Sequence, residues 1–146
     1  MIDTIAREPL WRHLINYRCG TGHSVSFVGN VHEGPHALNG RNTTLMRPGM
    51  IVTDEPGVYE TDLVGIRIEN ELVCVHKADN QYGTFLGFEP IMFVPIATSP
   101  IVPGVLTKDE LDWLNNYHRQ VFEKLAPRLN DEEREWLAKK CAAIGC

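Results

Sequence analysis

The sequence predicts an α+β chain in which short antiparallel strands fill roughly the first two-thirds and two helices close the rest. Two observations carry this. The run Gly65-Ile-Arg-Ile-Glu-Asn-Glu-Leu-Val-Cys-Val75 is β-branched and alternates apolar with polar residues, the period of a strand. Thr107-Lys-Asp-Glu110 and Asn130-Asp-Glu-Glu133 are helix-start signatures, each followed by an apolar stripe.

Composition narrows the function classes. The chain has 146 residues, enough for one domain that buries about two-thirds of its unfolded surface. A net charge of −5 leaves no basic footprint, so no nucleic-acid partner is expected. No apolar run approaches the ~20 residues of a membrane helix, so no membrane is expected either. The opening residues lack the layout of a signal peptide. Cys19, Cys74, Cys141 and Cys146 form no C-x-x-C pair, which favours reduced thiols and a cytoplasmic protein. Cys19 reads as a buried, inert thiol or as a nucleophile beside the histidines.

The elements follow in order. Ile2, Ile5, Ala6, Leu10 and Leu14 make a helical stripe that Pro9 kinks or restarts, so the chain opens directly inside a helix. Val25 and Phe27 alternate with Ser24 and Ser26 as a short strand entering a turn at Val28-Gly29-Asn30. Residues 36–41 read as loop, with Asn39-Gly40 as a turn pair. Pro48 and Gly49 occupy the central positions of a type II turn. That turn launches a strand over 50–55, which Pro56-Gly57 stops, and residues 56–59 are expected as turn and loop. The strand over 65–75 follows, with Ile66 and Ile68 on one face and Arg67, Glu69 and Glu71 on the other. A third strand is expected between Tyr82 and Ile96, closed by Pro95. A Pro-rich connection, 97–105, leads to the helices. Leu111, Leu114, Val121, Phe122 and Leu125 line the first of these. Trp136, Leu137, Cys141 and Ile144 line the second, whose acidic start and Lys139-Lys140 end complement the helix dipole.

The chemistry centres on Cys19-Gly-Thr-Gly-His23-Ser-Val-Ser-Phe-Val-Gly-Asn-Val-His32-Glu-Gly-Pro35. Imidazole nitrogens are ligands for divalent metals, and the small residues let backbone run close to a ligand. Taken alone, the pair is equally a turn histidine and a surface histidine. Downstream, Glu55 ends one strand and Glu69 lies within the next, so three candidate ligands lie on adjacent elements. An inward carboxylate must be paired or bind a metal. Arg67 shares the face of Glu69 and could pair with a ligand carboxylate or a substrate.

These residues resemble the pita-bread-fold metallopeptidases, the Xaa-Pro aminopeptidases most closely. The resemblance lies in Gly20-Thr-Gly-His23 with Asn30-Val-His32-Glu-Gly-Pro35, in Thr53-Asp-Glu55-Pro-Gly-Val-Tyr59, and in Gly65-Ile-Arg-Ile-Glu69-Asn. It implies half of a pita-bread (creatinase/aminopeptidase-like) fold: a curved antiparallel sheet, flanking helices and two C-terminal helices. It also implies His23, Glu55 and Glu69 as metal ligands, with Glu69 bridging two ions. Manganese is the expected metal, and cobalt or zinc also suits such ligands. His32 is implied as a substrate-binding donor to the developing oxyanion and Glu55 as the group handling the proton of the attacking water; Arg67, from its place on the face of Glu69, is expected to be substrate-binding. The implied substrate is a peptide with proline in second place, which loses its N-terminal residue.

Three departures shape the expectation. The family uses five ligands, two of them aspartates from a strand pair preceding the matched region. Here Asp3 lacks a partner at the right distance, Asp54 would face away from Glu55, and Asp62 falls in a loop. Ser24 and Ser26 replace two glycines, which predicts local backbone strain. Cys19 stands where some members carry histidine. Residues 1–146 are therefore expected as one partial domain, the C-terminal part of a catalytic domain, with 1–105 carrying sheet and site and 106–146 the helices. Alone it would bind metal weakly or not at all and have little or no activity. The alternatives are a degenerate binding or assembly module, or one chain of a split enzyme. An open sheet edge predicts a homo-oligomer.

Overall fold

The computed structural model describes residues 2–145. The chain forms two compact units, Met1–Met92 and Phe93–Cys146.

The first unit opens with α1, Ile2–Trp11. Pro9 lies inside this helix and supplies no amide to the preceding turn. The helix ends two residues later, short of the expected extension to Leu14. The apolar stripe does not face inward. Asp3 is the buried residue of α1, whereas Ile5 is 74% and Leu14 98% exposed. The reason is Arg7, whose guanidinium bonds Asp3 and the carbonyls of Tyr17 and Cys19, turning the charged face to the interior.

Strands β1 (Gly22–His23) and β2 (Ala37–Leu38) pair antiparallel, with Gly22 opposite Leu38. This differs from the expected strand at 24–27 and the expected loop at 36–41. Only Ser24 of that strand makes a bridge, to Val52, while Phe27 and Val28 are exposed. With no neighbouring strand to pair with, the alternation of Val25 and Phe27 produces no ladder.

The turn at Arg47–Met50 forms as expected: Gly49 has φ +88° and the Met50 amide donates to Arg47. It leads into β3, Ile51–Asp54. Residues 56–59 are not a loop, because Gly57–Glu60 form β4. Strand β5 is Val64–Arg67, β6 is Asn70–Asn80 and β7 is Gly83–Pro90. The strand expected over 65–75 is thus broken at Ile68-Glu69, and β7 ends at Pro90, before Pro95. β3, β6 and β7 form one sheet in that order, and β4 pairs with β5. Val52 and Cys74 are fully buried in the sheet. A bulge at Lys77 interrupts the β6–β7 ladder.

The register of these pairs decides where the carboxylates stand. Asp54 faces Asn70 at the end of β3–β6, and Gly57 faces Arg67 at the start of β4–β5. The two ladders keep one register. Between them Glu55 falls opposite Glu69, and Pro56 opposite Ile68. Proline cannot donate to a ladder, so the pairing opens there.

In the second unit, α2 (Lys108–Leu125) and α3 (Asp131–Lys140) begin with the expected capping boxes. The Thr107 hydroxyl accepts the Glu110 amide, and the Glu110 carboxylate accepts the Thr107 amide at 2.7 Å. Pro127 sits in a short 3₁₀ turn, Ala126–Arg128. Tyr117, Val121 and Leu137 form the core, with Phe93, Ile96, Phe122, Leu125, Leu129 and Cys141 packed against it. Trp136 is 56% exposed and lies off the expected stripe. Ile144 follows the helix as coil, clasped by both side-chain atoms of Asn115. Among the described residues no helix is long and apolar enough to cross a membrane. Cys146 lies outside them.

Candidate metal centre

The site is built at the junction of β1 with β3. Gly22 lets the strands approach: a Cβ there would lie 1.8 Å from the carbonyl oxygen of Thr53. That contact is why the motif needs glycine immediately before His23. The Thr53 hydroxyl accepts the His23 amide at 2.9 Å and donates to Glu55 Oε1 at 3.1 Å. One threonine therefore orients the backbone of one candidate ligand and the carboxylate of another.

A second set of bonds holds the approach from behind. Asp3 accepts the Thr21 hydroxyl at 2.6 Å and Arg7 Nε at 2.9 Å. Burial alone would raise the Asp3 carboxyl. The bonds from Arg7 and Thr21 outweigh it and hold that carboxyl below its ordinary range. The Thr21 carbonyl then takes the Glu55 amide at 2.7 Å.

His23, His32 and Glu55 converge. Their ligand atoms all lie within 4.8 Å of one another. His23 Nε2 is 2.9 Å from Glu55 Oε1, and the two imidazole centroids are 3.7 Å apart. Arg67 Nη1 reaches Glu55 Oε2 at 2.7 Å, with its guanidinium 5.6 Å from the Tyr59 ring. These residues line a cavity of about 300 Å³ together with Cys19, Gly20, Gly22, Ala37 and Asn39. Cys19 is a half-buried free thiol whose sulfur lies 3.8 Å from the Gly57 carbonyl. Two imidazoles and a carboxylate around such a cavity fit a divalent cation.

Glu69 stands apart. It is exposed and is not in the cluster of His23, His32 and Glu55, although its backbone position is opposite Glu55. Ser24 and Ser26 show no left-handed backbone. Among the described residues the non-glycine positive φ angles are at Leu14 and Asp62, so the expected strain is missing. Ser24 is buried, with no hydrogen-bond partner for its hydroxyl.

Residues 1–76 match the model of metallopeptidase family M24, and residues 84–144 match the model described as the C-terminal region of peptidase M24. The chain belongs to metallopeptidase family M24. Among its M24 relatives, aminopeptidase P2 of Arabidopsis thaliana is 45% identical over 144 residues, 94% of this chain and 20% of the relative. A probable Xaa-Pro aminopeptidase P of Coprinopsis cinerea is 41% identical over 152 residues, 99% of this chain and 24% of the relative. The crystal structure of X-prolyl aminopeptidase from Caenorhabditis elegans, described as a cytosolic enzyme with a di-nuclear active site, superposes with a TM-score of 0.87. The match is 38% identical and covers 97% of this chain and 24% of that one. The α+β pita-bread architecture expected from the sequence is borne out. The chain spans about a quarter of the length of the curated M24 relatives it matches.

The sequence pattern pointed to His23, His32, Glu55 and Arg67, and these meet. It missed Thr53 and the Asp3–Arg7–Thr21 set. Thr53 lay within a motif already singled out. Asp3 and Arg7 stand four apart on a helix, the spacing of an ion pair, which was the available signal.

Proposed function

We propose that residues 1–146 act as the C-terminal part of the catalytic domain of a metal-dependent Xaa-Pro aminopeptidase. Residues 1–105 would carry the site and 106–146 the closing helices. The substrate is a peptide with proline in second position, which loses its N-terminal residue. The observation that supports the reading is the contact of His23 Nε2 with Glu55 Oε1 at 2.9 Å, in a cavity that His32 and Arg67 also line.

In this reading His23, Glu55 and Glu69 are metal ligands within a di-nuclear site, with manganese as the proposed metal and cobalt or zinc suiting the same donors. Divalent ions, when bound, acidify water and polarise the scissile carbonyl. The chain's own residues do the rest. Glu55 accepts the proton of the attacking water. His32 directs an N–H at the carbonyl oxygen, where negative charge develops. Arg67 fixes the Glu55 carboxylate and meets the substrate at the cavity wall. The 146 residues alone have little or no activity, because the resemblance assigns two further ligands to aspartates outside the matched segment. The cytosolic description of the nematode enzyme supports a cytoplasmic setting. Self-association through the open edge of β7 completes the proposal.

The decisive experiment is a chimaera. This chain replaces the segment it matches in the C. elegans enzyme, and release of the residue preceding proline is assayed with manganese. Activity that disappears in His23→Ala and Glu55→Gln supports the reading. A folded, inactive chimaera overturns it.

A further inference from the structure

Asn39 follows β2 directly and stands in the wall of the cavity that His32 and Arg67 line. It packs against Gly20, where an added Cβ would meet the Asn39 Cβ at 3.7 Å. The sequence marks Asn39-Gly40 as a turn, and the turn accounts for one end of the side chain. Its Oδ1 accepts the backbone amides of Arg41 and Asn42, each at 2.9 Å. Both partners are donors, which fixes the oxygen and nitrogen ends of the amide. The other end, Nδ2, carries two N–H donors and has no partner among the described residues.

Asn39 also borders a second cavity, of about 610 Å³, together with Asn42 and Thr44. The Asn42 amide commits the oxygen toward that side. The NH2 group is what remains for the cavity of His32.

The other side-chain donors of that cavity are engaged. His23 Nδ1 faces the Ser24 carbonyl at 3.0 Å, the Cys19 thiol faces the Gly57 carbonyl at 3.8 Å, and Arg67 Nη1 holds Glu55 at 2.7 Å. In the proposed mechanism His32 serves the scissile carbonyl. Asn39 is therefore the neutral donor that the chain itself does not use. Such a donor suits a neutral carbonyl, whereas a carboxylate is better met by a guanidinium.

The chemistry of an Xaa-Pro peptide restricts what this donor meets. A proline nitrogen within a peptide bears no hydrogen. From the scissile bond to the end of the proline residue the backbone therefore offers carbonyl oxygens and no N–H. We propose that Asn39 is a substrate-binding residue whose Nδ2 donates to the carbonyl oxygen of the proline residue, the next acceptor after the scissile carbonyl. The assignment rests on the Xaa-Pro aminopeptidase reading and adds to it a residue on the proline side of the bond. The turn contributes by holding the side chain in one orientation before substrate arrives, so little rotamer freedom is lost on binding.

The test uses the chimaera of this chain with the C. elegans enzyme and two substrates, alanyl-prolinamide and alanyl-pyrrolidide. The pyrrolidide lacks the carbonyl in question. The ratio of kcat/KM on the two is measured for the native residue, Asn39→Asp and Asn39→Ala, and melting temperatures are recorded. Asp keeps an oxygen for the Arg41 and Asn42 amides while replacing both N–H donors with an acceptor. Ala loses the turn bonds as well. Effects on the metal or on Glu55 fall on both substrates and cancel in the ratio. The expected result is a preference for the prolinamide that falls about tenfold in Asn39→Asp with the melting temperature held. Asn39→Ala should lose the same preference and also melt lower. A preference retained in an active Asn39→Asp chimaera overturns the role of Asn39 and leaves the aminopeptidase reading standing. A folded chimaera inactive on both substrates overturns that reading and this role with it.

Discussion

Asp3 and Thr21 are joined by a buried hydrogen bond of 2.6 Å, which ties the first turn of α1 to the strand that delivers His23. Arg7 closes the same arrangement, with Nε on Asp3 at 2.9 Å, its terminal nitrogens on the carbonyls of Tyr17 and Cys19, and its guanidinium over the Tyr17 ring. Truncating Arg7 would leave Asp3 as an uncompensated buried charge. Breaking a buried pair in this way costs about 3–5 kcal/mol. Arg7→Ala is expected to lose at least half of that in urea unfolding, and to loosen His23 and Glu55 together, because Thr21 also holds the Glu55 amide. Hydrogen exchange at the Glu55 amide reports the second effect.

Gly22 is a matter of space. A Cβ at that position would sit 1.8 Å from the Thr53 carbonyl oxygen and 2.7 Å from its carbon. Both are backbone atoms, so no side-chain rotation relieves the clash. Strands β1 and β3 must part, at a cost of about 1–3 kcal/mol or more for an overpacked site. Gly22→Ala is expected to lower the melting temperature and to separate His23 from Glu55. The control is Gly34→Ala, where an added Cβ meets nothing within 4 Å.

His118 gives the second unit a pH dependence. Its imidazole is fully buried, its Nε2 accepts the Ile96 amide at 3.1 Å, and Nδ1 has no partner. Burial pushes this histidine below its ordinary value of 6.5. The folded value is depressed, so the unfolded chain binds the proton more readily. The contribution to stability is complete above the ordinary value and is lost as pH falls through the lower folded value. Unfolding monitored between pH 7.5 and 5 should show stability dropping on the acid side. His118→Gln, whose side-chain oxygen can accept the same amide, should flatten that slope.

How far these features could be read in advance depends on how local their causes are. Both capping boxes were legible because a helix start is written within four residues. The turn at Pro48-Gly49 was legible for the same reason. The strand expected at Val25 and Phe27 failed because alternation specifies a face but supplies no partner, and β2 pairs with Gly22-His23 instead. The inward face of α1 was hidden because Asp3 is buried only through contacts with Thr21 and Arg7, and the Thr21 contact lies eighteen positions away. At the site, His23 and Glu55 could be named but their contact could not. It depends on a glycine-sized gap between β1 and β3 and on Thr53 bridging the two. Opposition of Glu55 and Glu69 required the register on both sides of Pro56, which periodicity within one strand does not reveal.

Arg67 sets how strongly the candidate centre attracts a cation. Its guanidinium occupies Glu55 Oε2 at 2.7 Å and places a positive charge on the wall of the cavity that His23 and His32 line. An arriving divalent ion meets that charge as repulsion and finds one carboxylate oxygen already engaged. Removing the guanidinium frees Oε2 and restores the full negative charge of Glu55 to the site. The Arg67 side chain is 37% exposed, so water and salt screen part of the effect. Zinc affinity in Arg67→Ala is therefore expected to rise by roughly three- to tenfold, below the roughly 1.5–3 kcal/mol of an unscreened hydrogen bond to a charged group. The gain should shrink in 0.5 M sodium chloride. Arg67→Lys keeps the charge but loses the planar fork, so it should fall between the two. Titrating the three forms with zinc at both salt concentrations checks the order, and equal affinities would separate Arg67 from the site's electrostatics.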